Sequence, residues 1–237
     1  MRDTIIDTAA TMRFDGAVDE VLESGTSSSG FILAYGQAGR GKSVAADRNY
    51  CARGGAYVRV WTGWSQTAFM QRLLFEVSGT NGDMPRYRAN TCKEMVVSLL
   101  KKKRQTVFVD EADRLDIDRI EDLRDILDVT RAPVVLIGEE GLLAKLAQRR
   151  RIWSRVVHEV EFGPISASEV SVFAMQAAGL DIPAKLCGSI ATKAEGDFRL
   201  VRNMLILVEK AAKAKGSIVV DAAMLETALA AHSWRRG

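Results

Sequence analysis

Directly after the apolar run Phe31-Ile-Leu-Ala-Tyr35 the chain reads Gly36-Gln37-Ala38-Gly39-Arg40-Gly41-Lys42-Ser43. Glycines at the first, fourth and sixth places let a backbone wrap closely enough for its N–H groups to face phosphate oxygens. A strand has to enter such a loop and a helix has to leave it, with the positive N-terminal end of the helix turned toward the anion. The pattern therefore dictates a β–loop–α unit. Lys42 is placed to reach the β- and γ-phosphates of a nucleotide and Ser43 to ligate magnesium, while Gly36, Gln37, Ala38, Gly39, Arg40, Gly41 and Val44 line the phosphates. A glycine-rich turn that binds nothing would not need the lysine, the hydroxyl and both flanking elements to agree.

The rest of the chain supplies the sheet that this unit requires. Short β-prone runs recur at Ala56 to Val60, Thr106 to Asp110, Val134 to Gly138 and Val156 to Phe162, with helical patterns between them. Alternation of this kind predicts an α/β fold, a five-stranded parallel sheet sandwiched by helices. Thr91 with Glu94 has the spacing of a capping box ahead of Met95, Val96, Leu99 and Leu100. Ser166 with Glu169 has it again, and Ile165 and Val170 stand where a hydrophobic staple belongs. After Gly163-Pro164 no segment reads as strand, so the sequence predicts an α/β domain over 1–163 and a helical domain over 164–237. Its helices are expected at Ala167 to Ala178, Pro183 to Ala194, Phe198 to Ala214 and Asp221 to Ala231. The acidic stretch Asp113 to Asp128 reads as one amphipathic core helix through Leu115, Ile120, Leu123 and Leu127.

A phosphate loop needs a partner to hold the metal. Thr106-Val-Phe-Val-Asp110-Glu111 ends an apolar strand in two acids: Asp110 can accept from the magnesium water shell and Glu111 can polarise the attacking water. Acids capping the next helix are the plainer alternative. No other metal chemistry is offered, because Cys51, Cys92 and Cys187 are far apart and lack histidines at ligand spacing. His158 and His232 are isolated and take no catalytic role. A formal charge of +3 is too slight to name a partner. The absence of a signal-like or membrane-length apolar run leads to the expectation of a cytoplasmic protein with no membrane partner.

Together the glycine loop, the Asp110-Glu111-Ala112-Asp113 strand end and the helical C-terminal region resemble the AAA+ superfamily. That resemblance implies ATP and Mg2+ as cofactors, an arginine finger supplied by a neighbouring subunit, and a sensor arginine in the helical lid. Arg155 matches the finger, with Arg149, Arg150 and Arg151 as alternatives, and Arg199 matches the sensor. Each would bring fixed positive charge to the γ-phosphate. One departure stands out. The strand Val134–Gly138 is followed by Glu139 and Glu140, where the superfamily usually places a small polar residue, so hydrolysis is expected to be slow or partner-dependent.

More finely, the chain resembles the ATPase subunits of DNA transposition systems, the Mu phage B-type target-selection proteins and related helper ATPases. This implies homo-oligomers, as helical filaments or rings, on double-stranded DNA, a transposase as client, and a bacterial or phage-infected cell as setting. The Mu B type carries an N-terminal helix-turn-helix domain, for which too few residues precede Phe31, so DNA contact is expected from the ATPase core. Candidate cations are Arg59, Arg72, Lys93, Lys101, Lys102, Lys103 and Arg104, whose contact with phosphates would read no bases. For Lys101 to Arg104 a solvated helix end is an equal alternative. Trp61 and Trp64 offer a surface for stacking on a base, although packing is the commoner use of aromatics after a strand. A replication initiator or helicase loader, and a nucleotide-gated scaffold with little turnover, remain as alternative functions.

Overall fold

The computed structural model describes residues 1–2, 4–25 and 29–230. Strands β1 (Phe31–Tyr35), β2 (Ala56–Arg59), β3 (Val107–Asp110), β4 (Val134–Gly138) and β5 (Val156–Glu161) form one sheet in the order β2-β3-β4-β1-β5. All pairings are parallel. The three central strands are apolar at consecutive positions and almost wholly buried, as strands covered on both faces must be. The pleat divides their side chains. Phe31, Leu33, Val107, Val109, Val134 and Leu136 enter one core, and Ile32, Ala34, Phe108, Val135 and Ile137 enter the other.

The first of these cores is covered by α3 (Gln66–Ser78), α4 (Ala89–Lys102) and α5 (Ile117–Thr130), the second by α1 (Ala9–Glu23) and α2 (Lys42–Arg53). Short helices α6 (Glu140–Ala147) and α7 (Arg150–Trp153) lead from β4 to β5. The contacts divide the chain into two compact units: residues 9–37 with 42–162, and Met1–Thr8 with Ala38–Gly41 and the described residues from Gly163 onward. In the second unit α8 (Ala167–Ala178), α9 (Ala184–Lys193), α10 (Phe198–Lys215) and α11 (Ala222–Ala230) enclose their own core around Val170, Phe173, Ile190, Val201, Leu205 and Val208. Ala231 and His232 lie outside the described residues.

The capping box at α8 has both of its hydrogen bonds, Glu169 N to Ser166 Oγ and Ser166 N to the Glu169 carboxylate, and the staple residues Ile165 and Val170 are buried. The box expected at Thr91 does not form. α4 starts earlier, with Arg88 in the cap position and no side-chain cap, because Ala89 and Asn90 already continue the helix and leave Thr91 inside its first turn. The acidic stretch is also not one helix. A 3-10 turn at Ala112–Arg114 precedes α5, which Asp116 caps by accepting from Arg119 N. Within the helical unit an isolated parallel bridge joins Asp181 to Val219, a β contact that the sequence reading did not anticipate.

Candidate nucleotide site

The registers Tyr35↔Gly138 and Asp110↔Ile137 bring the C-terminal ends of β1, β4 and β3 side by side. Loops leaving this edge of a parallel sheet are where such folds place ligands. Gly36 leaves β1 at φ +146°, and a Cβ there would lie 2.3 Å from the Phe162 carbonyl oxygen, so only glycine fits. Gln37 is the last loop residue in the α/β unit. Lys42 opens α2 with a buried side chain whose Nζ donates to the Gly36 and Gln37 carbonyls, each at 2.7 Å. Burial holds the Lys42 pKa below its ordinary value, against the opposing pull of Glu139, Asp110, Asp113 and Glu111. An ammonium whose hydrogen bonds go to neutral backbone carbonyls is suited to a polyanion.

Ser43 follows, and its Oγ donates to Asp110 Oδ1 at 3.0 Å. Asp110, almost wholly buried at the end of β3, accepts on the same oxygen from Glu111 N, 3.0 Å away. Its Oδ2 accepts from Tyr57 Oη at 3.0 Å, Arg59 Nε at 2.9 Å and Arg59 Nη2 at 2.7 Å. That hydrogen bond to Asp110 raises the Arg59 pKa, and burial beside Asp110 raises that of Tyr57. Glu111 sits in the left-handed region at φ 59° and pairs with Arg114 at 3.1 Å, a backbone geometry that costs free energy and recurs at functional sites. A hydroxyl and a carboxylate 3.0 Å apart form a hard-oxygen pair of the kind that would hold Mg2+. The residues present therefore fit both groups: Gly36, Gln37, Lys42 and Ser43 the nucleotide phosphates, Ser43 and Asp110 the metal.

The middle of the loop, Ala38–Gly41, belongs to the helical unit. There Gly39, at φ +77°, accepts on its carbonyl from Phe198 N at 2.9 Å, and Arg40 Nη1 donates to the Glu195 carbonyl at 2.7 Å. Val44, next in α2 of the α/β unit, is about half exposed. Arg199, in the first turn of α10, has a side chain that is 72% exposed and only loosely paired with Asp197 at 3.5 Å. Arg155 is tied to Asp128, Nε to Oδ1 at 2.6 Å, whereas Arg149, Arg150 and Arg151 line an open groove with Asp118 and Glu121.

Of the seven candidate DNA cations, four are engaged within the chain. Arg59 is on Asp110, Arg72 on Glu76 at 2.5 Å, and Lys93 between Asp122 at 2.8 Å and Asp125 at 2.7 Å. Arg104 donates to the backbone carbonyls of Arg131 and Gly25, which leaves Lys101, Lys102 and Lys103 exposed at the end of α4. Sequence reasoning missed Tyr57 and Arg59 as partners of Asp110. The register Arg59↔Asp110 is the signal, and it exists only once β2 is known to pair with β3.

A family profile described as AAA domain matches residues 25–146, more than half of the chain and all of the loop, Asp110 and Glu139. The chain belongs to the AAA domain family. A potential ATP-binding protein of Staphylococcus aureus is 26% identical to this AAA-domain chain over 131 residues, which cover 52% of the chain and 48% of that protein. The Mu-like prophage FluMu DNA transposition protein B of Haemophilus influenzae is 26% identical over 156 residues, 62% of this chain and 53% of the relative. The chain thus matches about half the length of these curated relatives. Among solved structures, the Aeropyrum pernix ORC2 protein superposes with a TM-score of 0.69 at 15% identity, covering 97% of this chain and 68% of that one. The Thermotoga maritima RuvB branch migration motor does so with a TM-score of 0.61 at 16% identity, over 95% and 70%. These structures show that the fold is the AAA+ fold. No helix among the described residues is long and apolar enough to cross a membrane.

Proposed function

We propose that this AAA-domain chain hydrolyses ATP and uses the nucleotide to assemble as a homo-oligomer on double-stranded DNA, presenting that DNA to a transposase. The observation that carries the reading is its likeness to the Mu-like prophage DNA transposition protein B across 62% of the chain. In this reading Lys42 binds the β- and γ-phosphates, Ser43 and Asp110 hold Mg2+, and Glu111 orients the attacking water. Mg2+ supplies charge neutralisation of the phosphates when bound. Arg155, or one of Arg149, Arg150 and Arg151, completes the site of a neighbouring subunit, and Arg199 contacts the γ-phosphate. The groove at Arg149–Arg151 supports the alternatives, since Arg155 would first have to leave Asp128.

DNA contact falls to Lys101, Lys102 and Lys103, the candidates exposed together at the end of α4, and it would be sequence-independent and steeply salt-sensitive. Electron microscopy with duplex DNA and a non-hydrolysable ATP analogue tests the reading. Filaments or rings on DNA that require the nucleotide are expected. Polymers formed equally without DNA, or discrete complexes only with a helicase, would overturn it in favour of a scaffold or a loader.

A further inference from the structure

A carboxylate has about four lone-pair sites. Asp110 already receives five donor contacts: Ser43 Oγ and Glu111 N on Oδ1, and Tyr57 Oη, Arg59 Nε and Arg59 Nη2 on Oδ2. Hydrated Mg2+ arriving beside this group brings water protons that need the same lone pairs, so a resident donor has to give way. Ser43 need not leave, because its oxygen can ligate the metal while its proton stays on Asp110. Glu111 N is backbone. Tyr57 is held by its ring, stacked on Phe108 with centroids 6.0 Å apart and tilted against Tyr50. Arg59 differs from all three: its side chain is 56% exposed while Asp110 is 2% exposed, and of these four residues it alone carries a full positive charge.

Like charge settles which donor moves. A dication and a guanidinium compete for one buried carboxylate, and their repulsion grows as the metal settles. Arg59 also has somewhere to go. It lines both a depression with Ser43, Asp47 and Tyr57 and a second one, of about 310 Å3, with Trp61, Trp64, Met84 and Arg72, whose charge Glu76 offsets. The two tryptophan rings stand 5.8 Å apart there, and their faces can receive a displaced guanidinium.

We propose that Arg59 is a built-in counter-cation of Asp110 which Mg2+ displaces, so that metal loading at the nucleotide site moves a charged side chain toward the Trp61–Trp64 groove. Asp110 thereby stays neutralised and in place before the metal binds, and the cost is a higher Mg2+ requirement. This rests on the proposed reading that Ser43 and Asp110 hold Mg2+, Asp110 through the metal's water shell.

The test is binding of a fluorescent ATP analogue to the full chain, titrated with Mg2+, for the wild type, Arg59→Gln, Arg59→Lys and Tyr57→Phe, with no turnover required. Removing the competing charge in Arg59→Gln is expected to lower the half-saturating Mg2+ concentration by about threefold to tenfold, the range of a partly exposed charged pair. Arg59→Lys keeps the charge without the fork and falls between, and Tyr57→Phe, which removes a neutral donor, stays near the wild type. A midpoint that is unchanged or higher in Arg59→Gln, beside a Mg2+-dependent wild type, overturns the proposal alone. A wild type that binds the analogue equally well with and without Mg2+ overturns the metal reading of Ser43 and Asp110 and takes this proposal with it.

Discussion

Ser43 Oγ donates to Asp110 Oδ1 across 3.0 Å, joining the start of α2 to the end of β3. Glycine-loop and acidic-strand motifs that stand far apart in the chain thus meet as one hydrogen-bonded pair. The pair also sets Oδ1 of Asp110 beside the first turn of α2.

Asp110→Asn keeps the shape and, with its amide oxygen toward Ser43, that hydrogen bond, but it removes the charge and turns an NH2 group toward Tyr57 and Arg59. Its effect should appear only when the metal is present. With Mg2+, affinity for ATP is expected to fall by about 1.5–3 kcal/mol, the worth of a charge-assisted contact, whereas affinity in excess chelator should hardly change. Isothermal titration calorimetry in both buffers measures the difference, and an equal loss in both would show that Asp110 acts on the loop's structure and not through the metal.

Lys42 gives the site a pH signature with two opposite signs. Burial lowers its pKa below the ordinary 10.5, so at pH values between the lowered and the ordinary value the unfolded chain binds more protons than the folded one. Stability attributable to Lys42 therefore rises with pH across that window. ATP affinity must do the reverse, because the ammonium that attracts the phosphates is lost as pH climbs through the lowered value. Comparing the wild type with Lys42→Met, which cannot titrate, isolates both trends in thermal melts and in nucleotide titrations. A wild-type affinity that stays flat up to pH 10.5 would refute the buried-ammonium account.

Two glycines of the loop should fail differently. Alanine at Gly36 meets a backbone carbonyl at 2.3 Å that cannot move without shifting the end of β5, so Gly36→Ala should lose fold stability by several kcal/mol, of the order of an overpacked core site. At Gly41 the nearest atom is a Phe198 ring carbon 4.0 Å away, and only the positive φ of +90° objects. Gly41→Ala should cost roughly 1–2 kcal/mol. Chemical denaturation of the two variants ranks them, and equal losses would mean that φ alone governs the loop.

Much of this is legible in the sequence, for reasons visible at particular residues. β1 and β4 match their expected bounds because apolar runs between a glycine or proline and a turn leave little latitude, and α8 starts and stops where Ser166 and Gly179 cap it. Thr91 misled because a capping box is a spacing, and spacing cannot tell whether the helix began two residues earlier. α1 went unassigned, although Phe14, Val18 and Val21 form its buried stripe. The placement of Met1–Thr8, with Ile6 in the helical unit's core, has no local signal at all. The sequence offers Arg59 only as a candidate DNA cation because its partner lies on a strand about fifty residues away, and only the sheet order brings the two together.

Glu139 sets the last expectation. It stands at the cap of α6, its backbone N donating to Asp113 Oδ1 at 3.2 Å, and of the carboxylates that support the charge on Lys42 it contributes most. Replacing it by glutamine has two consequences that oppose each other. Lys42 loses an electrostatic partner, which weakens the grip on phosphate, and the γ-phosphate loses a repulsive neighbour. Once ATP is bound, the phosphate charge itself faces Lys42 and makes good the first loss, so the second should dominate. A unit charge removed at about 10 Å in a medium of effective dielectric constant near 20 is worth on the order of 1–2 kcal/mol, roughly five- to thirtyfold in rate if it acts on the transition state. Glu139→Gln should therefore turn over ATP severalfold faster in a steady-state assay, with and without duplex DNA. A variant that is slower than the wild type would mean that the carboxylate supports Lys42 even in the loaded site.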